Sequence, residues 1–133
     1  MRKYAMVAAA LALASASVIL ASPATSADAP TVVRKVLGQQ DAPAGNTVSL
    51  VQVTIPVGGR EGKHTHPGPL IVHVISGAFS LDYEGKPNIT YSAGETFMVE
   101  PGHVHEGINQ GTVPAVGIAT LVTPKGEPLT KQQ

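Results

Sequence analysis

Gly58-Gly59-Arg60-Glu61-Gly62-Lys63-His64-Thr65-His66-Pro67-Gly68-Pro69-Leu70 leads into the apolar run Ile71-Val72-His73-Val74-Ile75 and stops at Ser76-Gly77. In an extended strand, side chains two apart share a face, so His64 and His66 can turn both imidazoles toward one point. Such a pair suits a divalent metal, and its plainer alternative is two ordinary exposed histidines. Glycine frames the segment: Gly58 lies six residues before His64, and Gly77 closes the run that follows.

A second glycine-bounded block reads Gly94-Glu95-Thr96-Phe97-Met98-Val99-Glu100-Pro101-Gly102-His103-Val104-His105-Glu106-Gly107-Ile108-Asn109. Together the two blocks resemble the paired motifs of the cupin superfamily: glycine, five residues, His-x-His, an acidic residue and glycine, then glycine, a Pro-Gly turn, histidine and asparagine. The resemblance spans residues 48–122. It implies an all-β, single-domain double-stranded β-helix, or jelly-roll barrel, with a metal held by His64, His66 and His105. The chain departs from the pattern twice. Leu70 stands where the family has a metal-binding glutamate, and Glu100 stands where it usually has proline, although Pro101 and Gly102 keep the turn.

The first residues carry Arg2 and Lys3, then an alanine-rich apolar stretch from Ala5 to Ala21, then small residues around Ala24 and Ala27. These are the parts of a secretory signal peptide, expected over residues 1–27, and the protein is expected to be periplasmic or secreted. A membrane anchor is the alternative, but the apolar run is short for a span of ~20 residues. Residues 28–133 then suffice for one domain: an N-terminal arm over 28–47, a barrel over 48–123 and a C-terminal tail over 124–133. Without Arg2 and Lys3, seven basic residues face nine acidic ones. A mildly acidic domain with no basic run offers no footprint for nucleic acid, and no membrane contact is expected after cleavage. The absence of cysteine excludes disulfides, thiolate chemistry and cysteine-ligated zinc.

The period of the remaining chain is two. Val51, Val53 and Ile55 alternate with Gln52 and Thr54; Phe79, Leu81 and Tyr83 alternate with Ser80, Asp82 and Glu84. Turn residues separate the segments at Gly58-Gly59, Pro67-Gly68-Pro69, Ser76-Gly77, Gly85-Lys86-Pro87-Asn88, Gly94-Glu95, Pro101-Gly102 and Asn109-Gln110-Gly111. No window has a helical stripe, so the pattern predicts an antiparallel sandwich or barrel. Residues 31–37 form a β-branched, apolar arm with no evident partner nearby. Such arms often cover an open sheet edge, and a homodimer is expected. The polar tail from Pro124 to Gln133 is expected to be loose.

Three neutral imidazoles leave coordination positions open, which is the arrangement of a catalytic site. Cupin-like iron dioxygenases with three-histidine sites make Fe(II) the favoured ion by resemblance, with manganese, nickel and zinc as alternatives, and dioxygenase chemistry the leading activity. The competing class is a non-catalytic cupin that binds a metal or small molecule. A sugar isomerase is disfavoured, since Phe79, Tyr83, Tyr91 and Phe97 are a thin supply of stacking platforms. Leu70, Ile71 and Val72 suggest a pocket for a small apolar or amphipathic molecule.

Among the remaining candidates, His103 shares the face of His105 if the strand begins that early, and is then a possible fourth ligand; otherwise it belongs to the turn. Glu100 is a candidate for orienting a ligating histidine through its second ring nitrogen. Parity turns His73 and Glu106 outward, as surface groups. Arg60 and Glu61 lie on a loop near the barrel mouth, where a charged loop is ordinarily solvated, and Asn109 reads as a turn former. Metal occupancy is expected to fall as pH approaches the ordinary histidine value of ~6.5.

Overall fold

Alternating apolar residues build two five-stranded sheets that face each other across one core. The computed structural model describes residues 28–133, so the expected leader lies outside the described residues. The strands are β1 (Val33–Ala42), β2 (Asn46–Ile55), β3 (His64–Thr65), β4 (Leu70–Ser76), β5 (Ala78–Tyr83), β6 (Ile89–Ser92), β7 (Thr96–Val99), β8 (His105–Ile108), β9 (Ala115–Pro124) and β10 (Lys131–Gln132). One sheet has the order β1-β2-β9-β4-β7 and the other β10-β3-β8-β5-β6, with every pairing antiparallel. This is the jelly-roll barrel that the alternation and the motifs predict.

The inward residues are those the period selects: Val51, Val53 and Ile55 on β2, Leu70, Val72 and Val74 on β4, and Phe79, Leu81 and Tyr83 on β5. Burying each large apolar side chain contributes about 1.5–3 kcal/mol, so this core is what holds the short strand β3 in place. The β4–β5 corner requires glycine. Gly77 has φ +67°, and a Cβ there would press on the carbonyl of Pro114.

Two expectations are corrected. The arm finds its partner within its own neighbourhood, because Pro43–Gly45 forms a tight 3-10 turn and β1 folds back along β2 from Val33↔Thr54 to Ala42↔Asn46. Ala44 and Gly45, both at positive φ, make that reversal. The tail is likewise not loose. Leu129 packs against the core, and β10 pairs with β3 through Lys131↔Thr65 and Gln132↔His64.

Candidate metal centre

The register of two short strands brings the histidines together. His64 on β3 lies directly across from His105 on β8, and His66 follows two residues after His64. The ring centroids are 4.3 Å apart for His64–His105, 4.9 Å for His64–His66 and 5.0 Å for His66–His105. One nitrogen from each ring lies within 4.8 Å of the others, and all three residues are buried.

Backbone carbonyls fix each ring. His64 Nδ1 bonds the Gly62 carbonyl at 2.7 Å, His66 Nδ1 that of Leu129 at 2.6 Å, and His105 Nδ1 that of His103 at 3.0 Å. A carbonyl only accepts, so each neutral ring carries its proton on Nδ1 and presents a bare lone pair on Nε2. The His105 Nε2 is buried without a hydrogen-bond partner among the described residues. A buried, unpaired acceptor is costly, and a cation shared by the three rings removes that cost at His105. The donor set therefore fits a divalent ion with affinity for imidazole, and does not choose among iron, manganese, nickel and zinc.

Burial lowers His66 to about 4, against the opposing pull of the Leu129 carbonyl, and lowers His105 to about 4 against that of His103. Both imidazoles thus stay neutral well below the ordinary 6.5.

Glu100 and His103 stand apart from the cluster. Strand β8 begins only at His105, so strand parity does not reach back to His103, which stays with the Pro101-Gly102 turn. There His103 Nδ1 bonds the Tyr83 hydroxyl at 2.7 Å and lies 3.2 Å from Glu100 Oε2, with both side chains at least half-exposed. Neither side chain enters the cluster: the orienting groups are backbone carbonyls, that of His103 among them, rather than the Glu100 carboxylate.

Glu106 is the residue that sequence reasoning missed. Its parity is opposite to that of His105, as expected, yet it is buried, because the loop before β3 closes over that face. Arg60 grips its carboxylate through both oxygens, Nε to Oε1 at 2.7 Å and Nη2 to Oε2 at 2.6 Å, and the Gly62 N–H donates to Oε1 at 3.0 Å. The Arg60 hydrogen bond holds the carboxyl below its usual range, and Glu106 in turn raises Arg60. Since the Gly62 carbonyl orients His64, Glu106 positions a ligand through one backbone residue. Asn109 anchors the same loop: its side chain donates to the carbonyls of Ile55 at 2.9 Å and Val113 at 2.8 Å, and its backbone exchanges hydrogen bonds with Gly58 and Gly59.

On the other face of that loop, Glu61 turns inward, with its side chain only 12% exposed. It accepts from Arg34 Nη2 at 2.9 Å and from the Gly107 N–H at 3.2 Å. Both Glu61 and Arg34 line a cavity of about 120 Å³ shared with the three histidines. The rest of its wall is mainly apolar and includes Leu70, Val72, Phe79 and Phe97. Leu70 thus presents an apolar wall from the position of the family glutamate, while Ile71 and His73 point outward, and His73 bonds Thr96 at 2.9 Å.

The comparisons agree with this architecture. The cupin domain family matches residues 51–121. The chain belongs to the cupin family. This cupin is similar to a cupin-like protein from Thermotoga maritima, with 24% identity, a TM-score of 0.66, and coverage of 77% of this chain and 75% of that one. An uncharacterized protein with a double-stranded β-helix domain from Klebsiella pneumoniae has 22% identity and a TM-score of 0.59, covering 79% of this chain and 87% of that one. The DMSP lyase of Ruegeria pomeroyi has 19% identity and a TM-score of 0.64, covering 77% of this cupin, which spans 51% of the lyase. At these identities the likeness is one of fold. No curated protein matches the sequence.

Proposed function

We propose that this cupin is an exported dioxygenase for a small apolar or amphipathic molecule, with Fe(II) held by His64, His66 and His105. The observation that carries this reading is the convergence of three buried imidazoles on one mainly apolar cavity, with no carboxylate among them. Such an ion supplies Lewis acidity and, as iron, one-electron chemistry with dioxygen at positions the protein leaves open. The chain's own part is to hold the nitrogens, exclude water with the apolar wall and admit the substrate past Arg34. The cavity is smaller than the roughly 300–1,000 Å³ typical of drug-sized ligands, which favours a substrate of only a few heavy atoms.

The test is metal content followed by oxygen uptake. Iron-loaded protein is expected to consume dioxygen with small diketones, carboxylic acids or thiols, at rates the His64→Ala, His66→Ala double variant does not reach. Equal rates would end the dioxygenase reading. Leu70 favours a second reading, a metal or ligand carrier without turnover, because it removes a carboxylate from the site. Stoichiometric zinc and tight ligand binding without oxygen uptake is the signature of that carrier.

Export rests on the leader-like residues 1–27, and a secreted form beginning near residue 28 is its measurable consequence. A homodimer completes the proposal, supported by the edge position of β1 and by exposed apolar residues on the outer face of its sheet.

A further inference from the structure

We infer that Arg34, held in place by Glu61, reads the carboxylate of the substrate, so that the ligand of this cavity is a small monocarboxylate with an apolar body. The assignment rests on the three-histidine metal site proposed above. Arg34 lies on the edge strand β1 opposite the buried Val53, a register that turns its side chain toward the barrel, where it lines the cavity. Its side chain is 36% exposed and, among the described residues, donates one hydrogen bond, from Nη2 to Glu61 Oε1. A guanidinium carries five N–H donors in a planar fork, so most of its donors are uncommitted in a side chain that lines the cavity. Glu61 is secured at both oxygens, by Arg34 and by the Gly107 N–H, which fixes the direction of the fork.

The charge balance points to a monoanion. The Arg34 and Glu61 charges offset each other, three neutral imidazoles offset none of the charge of a divalent ion, and Leu70 occupies the place where a carboxylate ligand would have done so. The site therefore lacks negative charge in a mainly apolar enclosure, where an ionic contact is stronger than in water. A carboxylate between the histidines and the Arg34 fork supplies that charge and accepts charge-assisted hydrogen bonds in a geometry the guanidinium matches. The remaining wall, which includes Val36, Phe79 and Phe97, is apolar except for Thr130 and accommodates a short hydrocarbon body.

Binding to zinc-loaded protein tests the assignment without requiring turnover. Straight-chain carboxylates of three to five carbons are titrated by calorimetry beside their primary amides. The wild type is expected to bind at least one carboxylate about tenfold or more tightly than its amide. Arg34→Met is expected to cut that preference by about tenfold, the part the zinc ion supplies remaining, with zinc content unchanged. The double variant Arg34→Met, Glu61→Gln leaves no stranded carboxylate and is expected to behave like Arg34→Met. Recovery of carboxylate binding in the double variant would assign the loss to the unpaired Glu61 and overturn the proposal, as would an unchanged preference in Arg34→Met or no preference across the series. Failure of the wild type to take up zinc would count against the metal site instead. In that case, Arg34-dependent carboxylate binding by the metal-free protein would still support the assignment, and its absence would overturn it.

Discussion

Glu106 and His64 are joined through Gly62, whose N–H donates to the Glu106 carboxylate while its carbonyl orients the His64 ring. Glu106→Gln keeps the shape of the side chain and removes the charge that Arg60 grips on both oxygens. A group hydrogen-bonded directly to a metal ligand typically affects metal affinity by about 10–100-fold, and Glu106 acts one hydrogen bond further out, which sets the expectation at the lower end of that range. Glu106→Gln is expected to lose zinc affinity to that extent, measured by chelator competition, with the far-ultraviolet spectrum of the fold retained; wild-type affinity would remove the positioning role. A second expectation concerns the metal-free protein. The imidazoles of His66 and His105 protonate near 6.5 when unfolded and near 4 when folded, so between those values the unfolded chain binds more protons. Stability contributed by these neutral rings is intact above about pH 6.5 and is lost as pH falls toward 4. The thermal midpoint of metal-free wild type should therefore drop more between pH 7 and 4 than that of the His66→Gln, His105→Gln variant, and parallel curves would refute it. The His64 and His66 pair was legible because spacing and parity govern it locally, whereas His105 came in through the resemblance of the second glycine-bounded block to the cupin motif. Glu106 was not, since what buries it is Arg60, 46 residues earlier in the chain, and no local period records that contact.

At the scale of elements, the two residues of β10 have a larger role than their length suggests. Gln132 pairs with His64, Leu129 lends its carbonyl to His66 and its side chain to the core, and Thr130 lines the cavity. The C-terminal segment is a strap across the ligand strand β3. Removing residues 129–133 should lower zinc affinity by at least about tenfold, because His66 loses the acceptor that sets its tautomer, and should lower the unfolding midpoint through loss of Leu129 burial. Calorimetric titration of the truncated chain measures the first effect; an affinity equal to wild type would show that the strap is dispensable to the site. Strands β2, β4 and β5 were legible because a buried face imposes a period of two on each. Strand β10 is too short and polar to show a period, and only its place against β3 gives it structure. The β1–β2 hairpin did carry a local signal, the turn residues Pro43-Ala44-Gly45-Asn46, which explain why the arm turns back on its own chain.

Across the whole molecule, one sheet faces solvent with an apolar row. Leu50 pairs with Thr120, Thr120 with Ile71, and Ile71 with Met98, so four strands contribute to one line on the outer face. Met98 is 70% exposed, Ile71 45% and Leu50 39%. Scattered apolar residues need no explanation, but a register-aligned row beside an edge strand is a surface that association would cover. A twofold arrangement buries the same row from both subunits, which is the self-complementarity an isologous dimer requires. Ile71→Lys places a charge at the centre of that row, on the face opposite to the metal cluster. Sedimentation should show a dimer for wild type and a monomer for Ile71→Lys, with zinc content unchanged in both. Because association stabilises by mass action, the wild-type thermal midpoint should also rise with protein concentration while that of the variant should not. A monomeric wild type, or a dimer indifferent to the lysine, would show that this row is not the contact between subunits.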